Sequence, residues 1–233
     1  MGSEMCIRDR AYTGFDLEGL IVTAAGDDAV DIQNATFGEK LTVLTGDDAD
    51  NVTLDESTFG DAMLVLGNGD DIVSTLGSNF GEFTVVGSGG DDNLTFQDLT
   101  TNGAFGVLAG GGDDTLTVAD SVSTMSTNVV LGVGDDRLDV VNWNADDTFS
   151  LSAGAGIDQL NFDGLHVGGT FEARLGGGRD TVTVANNVTF ASQASMRGNA
   201  GADVFDFEGD QSEFDSLGVE LRSISLQLPV IDD

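Results

Sequence analysis

An aspartate recurs every 21 to 23 residues along nearly the whole chain, and this period constrains the fold more than any other feature. The nine positions are Asp28, Asp50, Asp71, Asp92, Asp114, Asp136, Asp158, Asp180 and Asp203. Each is followed two positions later by an apolar residue, and eight are preceded two positions earlier by glycine, with Asp48 as the exception. A fixed period of this length indicates a solenoid, in which each coil packs on its neighbours.

Each repeat contains strand patterns on both sides of a glycine-rich turn. In the fifth repeat, Leu116 and Val118 alternate with polar residues after the turn, and Val107 lies in the strand before it. Alternation of this kind is typical of strands. The 33 glycines interrupt the chain too often for long helices. The sequence therefore predicts an all-β protein, a single parallel β-helix of about nine coils of about 22 residues, right-handed as parallel crossovers are by default.

The repeat also predicts which side chains form the core. The residues expected to point inward and touch their counterparts one coil away include Leu116, Leu138, Leu160, Val107, Val129 and Leu151. A third segment places Phe37, Phe59 and Phe80 in register, which predicts a stacked aromatic ladder in the early coils. Trp143 is an isolated aromatic residue that can face solvent without making a sugar-binding platform.

The two ends differ from the repeats. Residues 1–10, MGSEMCIRDR, resemble a translated sequencing adapter and are excluded from the fold prediction. They contain Cys6, the only cysteine, so the rest of the chain has no disulfide or thiol chemistry. We expect the β-helix to span residues 11–209 and residues 210–233 to form a capping coil or the start of another module. We also expect the chain to be a metagenomic fragment of a longer protein.

The charge of the chain excludes several classes of partner. The formal net charge is -33, from 41 acidic and 8 basic residues. A nucleic acid backbone needs Lys and Arg, so nucleic acid is excluded as a natural partner. No stretch approaches the 18 apolar residues that suggest a membrane span, so membrane insertion is not expected. A surface this acidic favours cations as partners.

The glycine-rich turns contain a recurring motif that indicates a possible function. It reads G-x-G-x-D-x-apolar-x, as in LGNGDDIVS (66–74), AGGGDDTLT (109–117) and LGVGDDRLD (131–139). This motif resembles the nonapeptide of the repeat-in-toxin, or hemolysin-type, family of calcium-binding proteins. The resemblance implies that the glycine turns present backbone carbonyls and that aspartates of adjacent coils share Ca²⁺. Carboxylate and carbonyl oxygens are the ligands that Ca²⁺ prefers.

The resemblance also implies a set of metal ligands. One aspartate per coil would contribute at Asp28, Asp50, Asp71, Asp92, Asp114, Asp136, Asp158, Asp180 and Asp203, and coils three to six add Asp70, Asp91, Asp113 and Asp135. The chain departs from the family because the motif occurs once per coil and because Ala49, Ile157, Arg179 and Ala202 replace the second aspartate elsewhere. An alternative is that these are plain turns, since Asp favours turns by capping nearby backbone N–H groups.

Two classes of function remain. The first is a non-catalytic structural or adhesive segment of a secreted or cell-surface protein, with bound Ca²⁺ and with other surface proteins or polysaccharide as further partners. The second is a polysaccharide-active lyase or hydrolase, or a carbohydrate-binding solenoid, because many parallel β-helices act on polysaccharides. The uniform spacing leaves no room for the long loops that build an enzyme cleft, so we expect no enzymatic activity.

Overall fold

The structure is a computed structural model that describes residues 19–23, 25–185, 187–209, 215 and 217–228. It is a parallel β-solenoid of about nine turns with essentially no helix, which confirms the predicted fold class. Coils are numbered here by their periodic aspartate, so that coil one contains Asp28 and coil nine contains Asp203. The two sheets contain 16 and 10 strands among the described residues.

The strands of the first sheet lie before the turns and in the third segment of each coil. Those before the turns are β1 (Gly19–Val22), β3 (Thr36–Asp47), β5 (Thr58–Asn68), β8 (Phe83–Gly89), β11 (Phe105–Gly111), β14 (Thr127–Val133), β17 (Phe149–Ala155), β20 (Phe171–Gly177), β23 (Ala194–Arg197) and β25 (Val219–Arg222). Those of the third segment are β7 (Asn79–Phe80), β10 (Thr100–Thr101), β13 (Val122–Ser123), β16 (Asn144–Ala145), β19 (His166–Val167) and β22 (Thr189–Phe190). In β3 and β5 the two segments are continuous.

The strands of the second sheet follow the turns. They are β2 (Ala29–Gln33), β4 (Asn51–Asp55), β6 (Ile72–Leu76), β9 (Asn93–Gln97), β12 (Thr115–Ala119), β15 (Arg137–Val141), β18 (Gln159–Asp163), β21 (Thr181–Val184), β24 (Asp203–Phe207) and β26 (Ile224–Gln227). Each pairs in parallel with its equivalent one coil away, so that Leu116 lies between Leu94 and Leu138. This register arranges equivalent residues of successive coils in columns.

The core is the inside of the solenoid, as the alternation predicts. Leu116, Leu138, Val107 and Val129 are completely buried. Burial of a Leu or Val side chain stabilises the fold by about 1.5–3 kcal/mol.

The aromatic ladder also forms. The ring centroids of Phe37 and Phe59 are 5.4 Å apart and those of Phe59 and Phe80 are 4.9 Å apart, both pairs being stacked. Trp143 does not face solvent, because it is 1 % exposed and packs between Phe105 and Phe149.

The two ends are described to different extents. Strands β25 and β26 pair in parallel with β23 and β24, so residues 219–227 add a tenth layer without a Gly-Asp turn. The adapter-like residues 1–10 lie outside the described part of the chain. No described helix is long and apolar enough to cross a bilayer.

Candidate metal-binding edge

The nine periodic aspartates form one column, here called the inner Asp column, along the edge where the Gly-rich turns stack. All nine are buried, with exposed fractions between 0 and 5 %. Their direction follows from strand alternation: Asp114 precedes the inward Leu116 by two residues, so both side chains point to the same side. The fold thus places one carboxylate per coil inside the wall of the solenoid.

A ladder of hydrogen bonds holds this column in place. The backbone N–H of each aspartate from Asp28 to Asp180 donates to the Oδ1 atom of the inner aspartate in the next coil, at 2.8–3.1 Å. These N–H groups lie at the turn, where the strand ladder is interrupted, and the carboxylate replaces the carbonyl that a strand would provide. The column therefore joins every coil to the next.

The second carboxylate oxygen has no partner. In eight of the nine inner aspartates, Oδ2 is buried and receives no hydrogen bond: Asp50, Asp71, Asp92, Asp114, Asp136, Asp158, Asp180 and Asp203. An unpaired buried polar group costs about 1–3 kcal/mol, and more when it is charged. A column of such atoms requires compensation by protons or cations.

Burial also changes the acidity of the column. Burial, with a smaller contribution from neighbouring carboxylates, raises the pKa of Asp92 and Asp136 to about 7, although the backbone hydrogen bond to each carboxylate opposes the rise. Burial likewise raises the pKa of Asp71, Asp114 and Asp158 to about 6. A carboxyl group normally ionises near 3.8. The inner Asp column therefore takes up protons close to neutral pH when no other cation compensates it.

The four second aspartates form a separate outer Asp column, which is exposed to solvent. Its members are Asp70, Asp91, Asp113 and Asp135. Each accepts a hydrogen bond at Oδ1 from the backbone N–H of the following coil, at 2.7–2.9 Å. The last donor is the N–H of Ile157, which shows that the next coil needs no aspartate to continue the ladder. In the inner column each N–H group donates to the carboxylate of the following coil, whereas in the outer column each N–H group donates to the carboxylate of the preceding coil.

Backbone carbonyls of the turns supply a third column of oxygens. Gly134 has φ 142°, and a Cβ atom there would lie 1.9 Å from the carbonyl oxygen of Gly112. Only glycine fits, because the carbonyl of one turn points at the Cα atom of the next. No donor among the described residues pairs with the carbonyl oxygens of Gly69, Gly90 or Gly112. These oxygens lie between coils, and a Cβ atom at Gly112 would meet both the carbonyl oxygen of Gly90 and Oδ1 of Asp91, which places that carbonyl beside the outer Asp column.

The donor set fits a hard cation in kind. Carboxylate and carbonyl oxygens without partners are the ligands of Ca²⁺. In the described part of the chain, however, no three His, Cys, Asp or Glu side chains converge as in a preformed metal centre. An ion on this edge would therefore take backbone carbonyls together with carboxylates of neighbouring coils.

The structure separates the thirteen aspartates into two groups that sequence reasoning treated alike. The inner nine are buried, and eight of them, from Asp50 to Asp203, accept the hydrogen bonds of the ladder, whereas the outer four are exposed. The strand alternation in the sequence could have separated the two groups, because Asp114 lies on the same side of the chain as the buried Leu116 and Asp113 lies on the opposite side. The raised pKa values were not anticipated.

A second corner of the coil, the serine corner, was also missed. Its members are Ser57, Ser78 and Ser121, each at most 1 % exposed. Their Oγ atoms accept backbone N–H groups from the preceding coil at 3.0–3.1 Å. Each hydroxyl donates in turn to a backbone carbonyl at 2.7–2.8 Å. No oxygen is left unpaired at these three positions.

Comparisons with protein-family models, with curated proteins and with solved structures gave no significant match. The resemblance to repeat-in-toxin proteins therefore depends on the turn motif alone. The chain is a parallel β-solenoid with a buried aspartate column, and this architecture is compatible with a structural repeat protein.

Proposed function

We propose that this chain is a non-catalytic structural segment of a secreted or cell-surface protein and that its Gly-Asp edge binds Ca²⁺ between coils. The observation that carries the proposal is the row of eight buried Oδ2 atoms without hydrogen-bond partners. A neutral side chain can accept a backbone N–H group of the preceding coil equally well, as the hydroxyls of the serine corner do. Nine aspartates at one edge, in a chain of net charge -33, are best explained by a cation that they share.

The residues of the edge have distinct roles in this proposal. The Oδ1 atoms of the inner column keep their backbone hydrogen bonds and fix the carboxylates in place. The Oδ2 atoms and the turn carbonyls provide oxygen ligands, and the outer column adds negative charge that attracts cations from solvent. When bound, Ca²⁺ supplies positive charge and a further link between coils. Ca²⁺ suits such a site because it accepts six to eight oxygens in irregular geometry, whereas Mg²⁺ demands an octahedron.

The proposed location follows from the proposed ion. Extracellular calcium modules bind with dissociation constants of about 10⁻⁴–10⁻³ M, which the Ca²⁺ concentration outside cells can saturate. A solenoid whose coils are joined by ions would be stiff outside the cell and weaker where Ca²⁺ is scarce. The partners of such a rod would be other surface proteins or polysaccharide.

Thermal unfolding followed by circular dichroism tests the proposal. The full chain is melted in chelator, in Ca²⁺, in Mg²⁺ and in NaCl at equal ionic strength. We expect Ca²⁺ to raise the Tm well above Mg²⁺ and Na⁺, because only Ca²⁺ binds specifically. The matched control replaces Asp92, Asp114 and Asp136 by Asn, which keeps an acceptor oxygen and removes the charge. Equal stabilisation of the natural chain by Ca²⁺ and Mg²⁺ would show that ions only screen charge and that the turns are plain turns.

A further inference from the structure

A small cavity opens on the outer surface of the second sheet, at the C-terminal ends of its strands in coils seven to nine. Its volume is about 200 Å³, and its lining includes Asp163, Ala185 and Glu208. The register of β18, β21 and β24 places these three residues at the same outward position of successive coils. Asp163 and Glu208 are exposed and Ala185 is short, so the cavity is the gap that Ala185 leaves in this column.

The corner beside the cavity departs from the regular coil. In coil six the backbone N–H of Asn142 donates to the backbone carbonyl of Asp163, at 2.8 Å. In coil seven the equivalent N–H, that of Gly164, donates instead to the side-chain Oδ1 atom of Asn187, at 3.0 Å. The Nδ2 atom of Asn187 donates to Oδ1 of Asp163 at 2.7 Å. This corner therefore fixes one carboxylate of the cavity by one oxygen and leaves its Oδ2 atom available.

The other polar groups that line the cavity also have unused hydrogen-bonding capacity. Asn161 donates through Nδ2 to Asp139 at 2.7 Å, which leaves its Oδ1 atom as an acceptor. The hydroxyl of Thr183 and the carboxylate of Glu208 make no hydrogen bond with another described residue. Apart from the Thr183 hydroxyl, which can also donate, the available groups are acceptors. A ligand that fits must therefore be rich in N–H or O–H donors.

The charge of the cavity is negative. Asp163 and Glu208 line it, and none of the described Lys and Arg residues does. Arg137, on the same sheet, is held by Asp139 at 2.6 Å. A fitting ligand therefore also supplies positive charge, and an ammonium group provides that charge together with three donors and no acceptor.

The size and the mixture of groups narrow the ligand further. A volume of about 200 Å³ equals that of about six or seven water molecules at about 30 Å³ each. One ring of the size of a sugar fills this space, whereas a bare metal ion would leave most of it to water. A lysine side chain would supply an ammonium group but no donors for the neutral oxygens of Asn161 and Thr183.

We propose that this cavity binds one amino-sugar unit, a ring that carries hydroxyl groups and a free ammonium group. The ammonium group pairs with Asp163 and Glu208, ring hydroxyls donate to Asn161 and Thr183, and Ala185 forms the floor. A polymer of amino sugars is a polycation, which a chain of net charge -33 attracts. The inference names a class of polysaccharide for the partner suggested above, so it rests on that part of the proposed function and is independent of Ca²⁺.

NMR titration of the ¹⁵N-labelled full chain tests the proposal, in chelator at physiological ionic strength with a reductant for Cys6. Glucosamine should shift the backbone signals of Asp163, Thr183 and Ala185 with a dissociation constant on the order of 1–10 mM, because exposed ion pairs are weak. N-acetylglucosamine has the ring without the charge, and ethylamine has the charge without the ring. Both should bind at least tenfold more weakly than glucosamine.

Two variants separate the shape of the cavity from its charge. Ala185→Gln fills the gap without changing the charge, and Gln97 occupies the equivalent position in coil four, so the column accommodates this side chain. Asp163→Asn with Glu208→Gln removes the charge and keeps the shape. Each should weaken glucosamine binding at least tenfold, and the same spectra report whether the variant is folded.

The matched control, Asp98→Asn with Asp120→Asn, removes two exposed carboxylates from the same corner in coils four and five, outside the cavity. It should bind glucosamine as the natural chain does. The proposal is overturned if glucosamine shifts signals along the whole acidic surface, if ethylamine or N-acetylglucosamine binds equally well, or if Ala185→Gln binds normally. Because all arms are measured in chelator, these outcomes are distinct from failure of the proposed calcium function.

Discussion

The aspartate edge and the serine corner accept the same kind of hydrogen bond, but only the aspartate edge is left with buried oxygen atoms that have no hydrogen-bond partner. At both, a side-chain oxygen accepts the backbone N–H of the preceding coil, at 2.8 Å for Asp50 and 3.0 Å for Ser57. The serine hydroxyl then donates to the carbonyl of Asp55. The carboxylate has no proton to donate when ionised, so its second oxygen stays unpaired.

The difference shows that coil stacking alone does not require aspartate. A neutral residue at the edge would join the coils and leave no buried charge. Without a bound proton or cation, the aspartate edge should therefore contribute less to stability than the serine corner. Its contribution depends on the protons and cations that the solvent supplies. A proton satisfies Oδ2 at low pH, and we propose that Ca²⁺ does so at neutral pH. The four predictions below test this contrast, beginning with the largest expected effect.

The largest loss of stability should come from placing a carboxylate in the core, where no backbone N–H group is positioned to donate a hydrogen bond to it. Leu116→Asp puts a charge two residues beyond Asp114, at a fully buried core position. We expect a loss of about 5 kcal/mol in the free energy of unfolding, measured with urea, because burial of an unpaired charge adds to the lost apolar contacts. Thr117→Asp points outward, as Asp139 does one coil later, and should change stability by less than about 0.5 kcal/mol. Equal losses in the two variants would contradict the inward assignment.

The second prediction concerns pH in the absence of metal. The folded-state pKa values of Asp92 and Asp136 lie near 7, above the ordinary 3.8, so the folded chain binds protons more readily than the unfolded chain. Stability is therefore greatest at the acidic end of the window from pH 4 to pH 7 and is lost as pH rises through 6 to 7. We expect a fall of about 3 kcal/mol across that window in chelator.

Denaturant unfolding at a series of pH values measures this fall, and two comparisons sharpen it. Asp92→Asn with Asp136→Asn should make the fall smaller, because the amides do not titrate, while Asp71, Asp114 and Asp158 keep the remainder of the pH dependence. Saturating Ca²⁺ should flatten it as well, because it replaces the protons. A metal-free chain that becomes more stable as pH rises would show that the column is not protonated in the folded state.

The third prediction tests how much the Oδ1 atom of one aspartate contributes to stability through its backbone hydrogen bond, apart from the charge of the carboxylate. Asp114→Ala removes the acceptor of the Asp92 N–H, which then remains buried without a partner. Asp114→Asn keeps an acceptor and adds a donor. In chelator at pH 7.5, Asn should be more stable than Ala by about 2 kcal/mol in urea unfolding. If the two variants are equally stable, the hydrogen-bond ladder does not contribute to stability.

The smallest effect should come from the serine corner. Ser121→Ala leaves the backbone N–H of Leu99 without its acceptor, and we expect a loss of about 1 kcal/mol. This loss should be the same in Ca²⁺ and in chelator, because the corner has no unpaired charge. A loss that depends on Ca²⁺ would mean that the two corners are coupled and that the contrast between them is wrong.

Most of the fold follows from the sequence. The period of the aspartates gives the coil, and the alternation at Leu116 and Val118 gives the inward face. Both are local patterns, and stacking of identical coils turns them into columns without information from distant parts of the chain. Trp143 was harder to place, because a single aromatic residue has no periodic partners. Its burial depends on the space left by Phe105 and Phe149 in neighbouring coils.

Less of the candidate site could be predicted. The motif identifies the aspartates, and strand parity distinguishes Asp114 from Asp113. The direction of each hydrogen bond does not follow from the motif, because it depends on which N–H groups the turn leaves free. The raised pKa values come from burial and from the spacing of like charges, which exist only once the coils are stacked.

Calorimetric titration of the metal-free chain with Ca²⁺ tests the central claim most directly. At pH 6.5, in two buffers of different ionisation enthalpy, it reports both binding and the release of protons. We predict that Ca²⁺ binds and displaces protons from the inner Asp column, that Mg²⁺ binds far more weakly, and that Asn at positions 92, 114 and 136 reduces Ca²⁺ binding and proton release together. Absence of Ca²⁺ binding, or binding and proton release that are unchanged in the triple variant, would contradict the account.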